Sequence, residues 1–255
     1  MSKKQNLHIV MQAKGGVGKS FISALLLEYL SDKSKATGID TDFNNPSLSM
    51  HESLDVTYLN IMPNGDTVDI RKFDDLVMFM FENEKVKGKD CVWDIGAGTM
   101  TPLFAYINAN DTFSLLGEHF NITVHIPVAI ASESEADCLV GLENMLTSFK
   151  DKCTYMVWSN EFFASTGGHS IEDLDAYKKH RSKIFAVVNM SKRDVLFESA
   201  LEKMKKRKQI FADVNMDPEY NILEKSRLHK IKTAYWDMLD IVISTQTTKK
   251  EGISE

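Results

Sequence analysis

Apolar positions along the chain alternate between two periods. Leu7 to Ala13 (LHIVMQA) is a short β-rich run that ends at glycines. From Phe21 the period lengthens: Ile22, Leu25, Leu26, Tyr29 and Leu30 recur at helical spacing and predict an amphipathic helix. Strand-like runs follow at Lys35–Ile39, Cys91–Ile95, Ile122–Val128, Cys153–Trp158 and Ile184–Val188. Between them the pattern predicts helices over Phe73–Phe81, over Pro102–Leu116 and from a capping box at Ser132 and Glu135 to about Phe149. Asp194 is placed to cap a helix carrying Leu196, Phe197, Ala200, Leu201 and Met204 on one face. Asp217-Pro218 should open a last helical region, in which Leu228, Ile231, Tyr235, Met238, Leu239 and Val242 keep the helical period. Thr245 to Glu255 is polar and predicts a disordered tail.

Strands alternating with helices imply an α/β fold, a mainly parallel sheet with helices on both faces. With no repeat and no Pro/Gly/Ser-rich linker, one domain over 1–244 is expected. Ligands of such sheets bind beyond the carboxyl ends of the strands, so residues just after each strand are the candidates for chemistry. Composition narrows the class only a little. In 255 residues, 43% are hydrophobic and 26% charged, an ordinary globular balance. The formal net charge of −6 argues against broad coating of nucleic acid. The longest apolar stretch, Ile126 to Ala131, is far short of the ~20 residues of a membrane span. The start reads as a lead into a strand, not as a signal peptide. Cys91, Cys138 and Cys153 have neither pairing nor metal spacing and read as core thiols in a reducing cytoplasm.

The strongest chemical signal follows the first strand: Ala13-Lys14-Gly15-Gly16-Val17-Gly18-Lys19-Ser20, then a helix. A phosphate loop asks for G-x-x-x-x-G-K-[ST] between strand and helix, and here Ala13 stands where the first glycine would be. Glycines let backbone N–H groups turn toward a phosphate, and the following helix offers its positive end to the same anion. Lys19 is placed to reach the β- and γ-phosphates and Ser20 to ligate Mg²⁺. Asp40 and Asp42 follow the second strand at i and i+2, where both could face the phosphate site or simply bind local backbone in an Asx turn. Asp94 ends the strand Cys91–Ile95, ahead of Gly96 and Gly98, and could hold Mg²⁺ through a water. Asn160 follows Trp158-Ser159 and is either a turn residue or a donor–acceptor pair for a base edge.

Lys14 to Ser20 resembles the deviant phosphate loop of the ParA/MinD class of ATPases. The resemblance implies ATP and Mg²⁺ as cofactors, bound by Lys14 through Ser20 and by the next residue, Phe21. It implies that Lys14 crosses a homodimer to the other subunit's nucleotide, although service to its own subunit stays open. It further implies that Asp42 orients the attacking water, that Asp40 with Ser20 and Asp94 organises the metal, and that Asn160 reads adenine. The loop after Asp42, Phe43-Asn44-Asn45-Pro46, departs from the family's usual Pro-Gln. A narrower resemblance, to the TraL/StbB group of plasmid conjugal-transfer and plasmid-stability proteins, rests on Leu59–Met62, Gly65-Asp66, Arg71–Leu76 and Tyr155–Asn160. Together these imply a Mg-ATP-dependent dimerisation switch with slow, partner-stimulated hydrolysis, working with a plasmid-encoded adaptor or DNA-binding protein. A nucleotide-binding scaffold that does not hydrolyse ATP is the alternative. A P-loop kinase would need an arginine-bearing lid, and none of Arg71, Arg181, Arg193, Arg207 and Arg227 lies in a glycine-rich segment.

Two surface readings complete the expectations. Lys203, Lys205, Lys206, Arg207 and Lys208 form a basic run that could bind DNA phosphates without reading sequence, or be a solvated helix end. The tail Thr245–Glu251 has no apolar face, which argues against membrane anchoring.

Overall fold

The computed structural model describes residues 4–62, 67–162, 164 and 169–251. The chain forms two compact units, one up to Lys192 and one from Arg193. The first holds β1 (Gln5–Val10), α1 (Lys19–Lys33), β2 (Ala36–Asp40), β3 (Val56–Tyr58), α2 (Arg71–Glu82), β4 (Asp90–Asp94), α3 (Met100–Asn110) and α4 (Thr112–His119). It continues with β5 (Phe120–Ala129), α5 (Glu135–Ser148), β6 (Thr154–Asn160), α6 (Asp175–His180) and β7 (Ile184–Met190). The strands form one seven-stranded sheet in the order β3-β2-β4-β1-β5-β6-β7. Every neighbouring pair is parallel.

Strand alternation sorts the two faces. Leu7, Ile9, Ile39, Trp93, Ile122, Val124 and Ile126 join one large buried cluster with Phe73 and Met80 of α2, Leu103 of α3, Phe113 of α4 and Leu142 of α5. Residues of opposite parity, including Val10 and Asp94, face α1, which packs on β1, β2 and β4. The register puts Val10, Asp94 and Asp40 side by side at the carboxyl ends of β1, β4 and β2. Three candidate loops therefore leave the sheet from one row.

The sequence pattern placed six of the seven strands and missed β3, a three-residue edge strand too short to show a period. The helix expected over Pro102–Leu116 is two helices. Asp111 breaks it in the left-handed region, φ 48°, where its carboxylate accepts from the Ser114 hydroxyl and pairs with Lys152. Helix α5 starts at Glu135 rather than at Ser132. Glu135 Oε2 accepts the Ala131 N–H at 2.6 Å, and Ser132 Oγ accepts that of Ser134 at 3.2 Å, so the two side chains brace the entry turn. Gly65 and Asp66 lie outside the described residues.

The second unit consists of α7 (Val195–Lys206), α8 (Phe211–Met216) and α9 (Ile222–Glu251). Asp194 caps α7 as expected, its Oδ1 accepting from Leu196 N at 2.9 Å and Phe197 N at 3.3 Å. Asp217 opens a turn rather than a helix, its carboxylate accepting from the Glu219 N–H, Gln209 and Arg207. Asn221 caps α9 instead, through the N–H groups of Leu223 and Glu224. The tail from Thr245, expected to be disordered, is helical through Glu251. Extending a formed helix needs no new nucleus, so polar residues can follow an apolar stretch into it.

Candidate nucleotide-binding site

The phosphate loop occupies residues 11–18 between β1 and α1. Gly16 (φ +76°) and Gly18 (φ +99°) hold the left-handed conformation that side-chain-bearing residues resist. Gly18 is the residue from which α1 starts, and it lies against the Asn160 amide: a Cβ there would sit 3.2 Å from Asn160 Nδ2.

The two lysines of the loop point to different surroundings. Lys19 is nearly buried, and its Nζ donates to the Lys14 carbonyl at 2.9 Å. Burial lowers its pKa, while the charges of Asp94 and Asp42 act in the opposite sense. Lys14 instead reaches the surface of α5, where its Nζ meets Asp137 Oδ2 at 2.7 Å. That hydrogen bond and charge raise its pKa.

Asp94 is fully buried. Its Oδ1 accepts from the Ser23 hydroxyl of α1 at 2.9 Å, and its Oδ2 is buried without a hydrogen-bond partner. Burial, with some help from the Asp40 charge, pushes its carboxyl up to about 7, although Ser20, Ser23 and Lys19 favour the ionised form. An orphaned carboxylate oxygen beside the Ser20 hydroxyl is the arrangement a hydrated divalent cation would satisfy, so the residues present fit Mg²⁺.

Asp40 and Asp42 both use oxygens on local backbone. Asp40 Oδ1 accepts from Asp42 N at 3.0 Å and its Oδ2 from Ser49 N at 2.9 Å. Burial raises its pKa. Asp42 Oδ1 accepts from Asn44 N and Asn45 N, both at 3.1 Å, leaving its second oxygen for other work. The Asx-type reading of this pair is therefore realised, with Asp40 as the brace of the loop. Gly96 permits the close approach: a Cβ there would lie 2.7 Å from the Asp42 carboxyl carbon. Thr41 ties the two loops together, its Oγ1 donating to the Asp94 carbonyl at 3.1 Å and accepting from Trp93 Nε1 at 2.9 Å.

Asn160, at the end of β6, gives one N–H to the Val17 carbonyl at 3.0 Å and accepts the Phe162 N–H on Oδ1 at 3.0 Å. One amide hydrogen and one lone pair remain, the pair that a base edge can use. Phe21 is partly buried in the first turn of α1.

Asp137, Gln12, Ser23 and Thr41 were not anticipated. No local signal marks them; Asp137 is 123 residues from Lys14 and Ser23 is 71 from Asp94. Among the cysteines, Cys91 and Cys138 are buried and all three are free, with burial pushing Cys91 and Cys153 up to about 12.

A sequence profile described as the CobQ/CobB/MinD/ParA nucleotide binding domain matches residues 8–229. The chain belongs to this family. It is similar to Protein TraL of Escherichia coli, 29% identical over 238 residues that cover 92% of this chain and 97% of that one. Among solved structures it shares its fold with MinD in the MinC:MinD cell division complex of Aquifex aeolicus, at TM-score 0.52 and 16% identity, covering 91% and 95% of the two chains. A ParA family ATPase from Chlorobium tepidum gives TM-score 0.51 and 15% identity, covering 91% and 99%. A nucleotide-binding protein from Archaeoglobus fulgidus, in complex with ADP, gives 0.50 and 18%, covering 80% and 86%. The family assignment makes this a ParA/MinD-type nucleotide-binding protein with the seven-stranded parallel sheet of that class.

The basic run of the second unit is largely paired. Lys203 meets Glu224 at 3.0 Å, with its amine 4.5 Å from the Tyr220 ring centre. Arg207 meets Asp217 at 2.8 Å and Lys206 meets Glu202 at 3.9 Å. Burial lowers the pKa of Lys205. Within the run read as either a DNA-phosphate surface or a solvated helix end, Lys203, Lys206 and Arg207 thus sit beside carboxylates. Among the described residues no helix is long and apolar enough to cross a membrane.

Proposed function

We propose that the protein is a Mg-ATP-dependent dimerisation switch with slow ATP hydrolysis. The observation that carries the reading is the division between the two lysines of one loop. Lys19 is buried and feels the charges of Asp94 and Asp42, while the half-buried Lys14 reaches out to a single surface carboxylate on α5. A surface ion pair is worth roughly 0–1 kcal/mol, so Lys14 can exchange Asp137 for a stronger anion. Lys19 would serve the nucleotide of its own subunit, and Lys14 that of a second copy.

In this reading Lys14 to Phe21 cradle the phosphates and Asn160 reads the base with its remaining donor and acceptor. Ser20 and Asp94 would hold Mg²⁺, which when bound would supply charge neutralisation on the phosphates. Asp40 braces the loop that carries Asp42, and the free oxygen of Asp42 orients the attacking water. Positive charge delivered across a dimer acts as an arginine finger does, a contribution of ~10³–10⁵ in rate where measured. Hydrolysis would then depend on dimerisation, and product release would reopen the pair. The setting we propose, from the TraL/StbB resemblance of the sequence, is plasmid conjugal transfer or plasmid stability with a plasmid-encoded adaptor as partner; the similarity to TraL is in keeping with that resemblance. Lys203 and Arg207 are engaged by Glu224 and Asp217, so nonspecific DNA contact through the run Lys203 to Lys208 would have to compete with those pairs.

Mixing two inactive variants tests the crossing of Lys14. Lys14→Ala keeps its own Asp42, and Asp42→Ala keeps its own Lys14. If Lys14 acts across the dimer, the mixed dimer has one working site and the mixture regains phosphate release that neither variant shows alone. No recovery in a mixture shown to contain mixed dimers would place Lys14 in its own site and overturn the mechanism.

A further inference from the structure

We propose that Gln12 is a positioning residue for Lys14, a side-chain amide inserted into the sheet ladder that joins the phosphate loop to α5. Strands β1 and β5 pair regularly until Met11 N donates to His125 O at 3.1 Å. In a parallel ladder the next bond on this edge would run from residue 13 to residue 127. That bond is relayed instead. Ala13 N donates to Gln12 Oε1 at 2.9 Å, and Gln12 Nε2 donates to the Pro127 carbonyl at 3.0 Å. The amide stands in for one peptide unit, so the chain leaves the sheet one step early with its donor and acceptor still satisfied.

The second hydrogen of Nε2 goes to the Cys138 carbonyl of α5 at 3.1 Å. Cys138 follows Asp137, the partner of Lys14, and Ala13 precedes Lys14. One buried amide therefore grips the backbone on both sides of the Lys14–Asp137 pair. Helix α5 makes room for it at Gly141, where a Cβ would stand 2.1 Å from Gln12 Oε1 and 3.0 Å from its carboxamide carbon. A displacement of the loop, such as phosphate binding would impose, reaches α5 through this amide. The geometry of Lys14 is set by it independently of any nucleotide. The effect on turnover rests on the reading proposed above.

The test reads the Lys14 amine itself. Gln12→Met keeps the volume and removes all three hydrogen bonds. Asp137→Asn removes the charged partner directly. Pulse acetylation of the full chain without nucleotide, with Lys14 followed by mass spectrometry across pH, gives the free-amine fraction. Both variants should acetylate Lys14 severalfold faster than wild type at a fixed alkaline pH, and Gln12→Met should add nothing in the Asp137→Asn background. If Gln12→Met fails to fold, Gly141→Ala perturbs the amide from the other side and should give the same acceleration. A Lys14 profile unchanged by either variant, with only the unfolding midpoint lowered, would overturn the proposal. If the profile moves but ATP turnover does not, the positioning role stands and the part given to Lys14 in hydrolysis fails.

Discussion

Replacing Asp94 with asparagine probes the electrostatics of the site before any ligand is added. Burial lifts the Asp94 carboxyl from its ordinary 3.8 to about 7. Keeping it ionised above pH 7 therefore costs the folded protein ~4 kcal/mol relative to the unfolded chain. The folded carboxyl holds its proton more tightly than the unfolded one. Stability contributed by this group thus falls as pH rises from about 4 to about 7, and is level above that. Asparagine carries no charge and keeps an oxygen for the Ser23 hydroxyl. It also places an N–H where Asp94 Oδ2 has no partner, a loss of about 1–3 kcal/mol. Asp94→Asn should therefore stabilise the ligand-free protein by ~1–3 kcal/mol at pH 8. The advantage should shrink by ~2–3 kcal/mol at pH 5, where the wild-type carboxyl is already protonated in the folded state. Urea unfolding of both proteins at the two pH values, without Mg²⁺ or nucleotide, measures this. Added Mg-ATP should raise wild-type stability and leave the variant unchanged. A variant no more stable than wild type at pH 8, or a difference independent of pH, would refute the assignment of Asp94 as a strained, ligand-awaiting carboxylate.

Lys14→Ala should retain Mg-ATP binding, read by equilibrium titration with a fluorescent analogue, while phosphate release drops by about 10³-fold or more. Gly96→Ala drives a methyl group to within 2.9 Å of the Asp42 backbone, so it should displace Asp42 and suppress turnover. Its cost in urea unfolding should be about 1–3 kcal/mol. The buried chain from Trp158 Nε1 to His125 Nδ1 (3.0 Å), and from His125 to His8 Nδ1 (2.9 Å), requires neutral His125 with its proton on Nε2. Burial, with the neighbouring His8, holds its pKa well below 6.5. The unfolded chain then takes up a proton that the folded one refuses. Relative to His125→Gln, wild type should lose up to ~1.4 kcal/mol per pH unit below about pH 6.5, measured by urea unfolding with Trp emission as the signal.

What the sequence revealed and what it hid divide along the range of the interactions. The phosphate loop, the Asp40–Asp42 pair and Asp94 were legible because each is a short motif at a strand end. The parallel register then brings those ends into one row. The kink at Asp111 was not legible: Lys152 holds it from 41 residues away, and the helical period of the apolar residues runs on regardless. Asp137 and Gln12 were hidden for the same reason, since their roles exist only once α5 lies beside the loop. The pairing of Lys203 and Arg207 was hidden too, because Glu224 and Asp217 come from beyond α7. The narrower likeness lay in scattered residues, and the similarity to TraL agrees with it, while the family profile bears out the wider ParA/MinD class.

The central claim is that nucleotide makes two copies of this chain close on one another. Size-exclusion chromatography with light scattering, on wild type with Mg²⁺ and ADP, ATP or a nonhydrolysable ATP analogue, weighs the particle directly. The account predicts a monomer in ADP, a dimer in the analogue, and no analogue dimer for Lys14→Ala. An unchanged mass in all three nucleotides, with binding verified in the same samples, would contradict it and favour a nucleotide-binding scaffold.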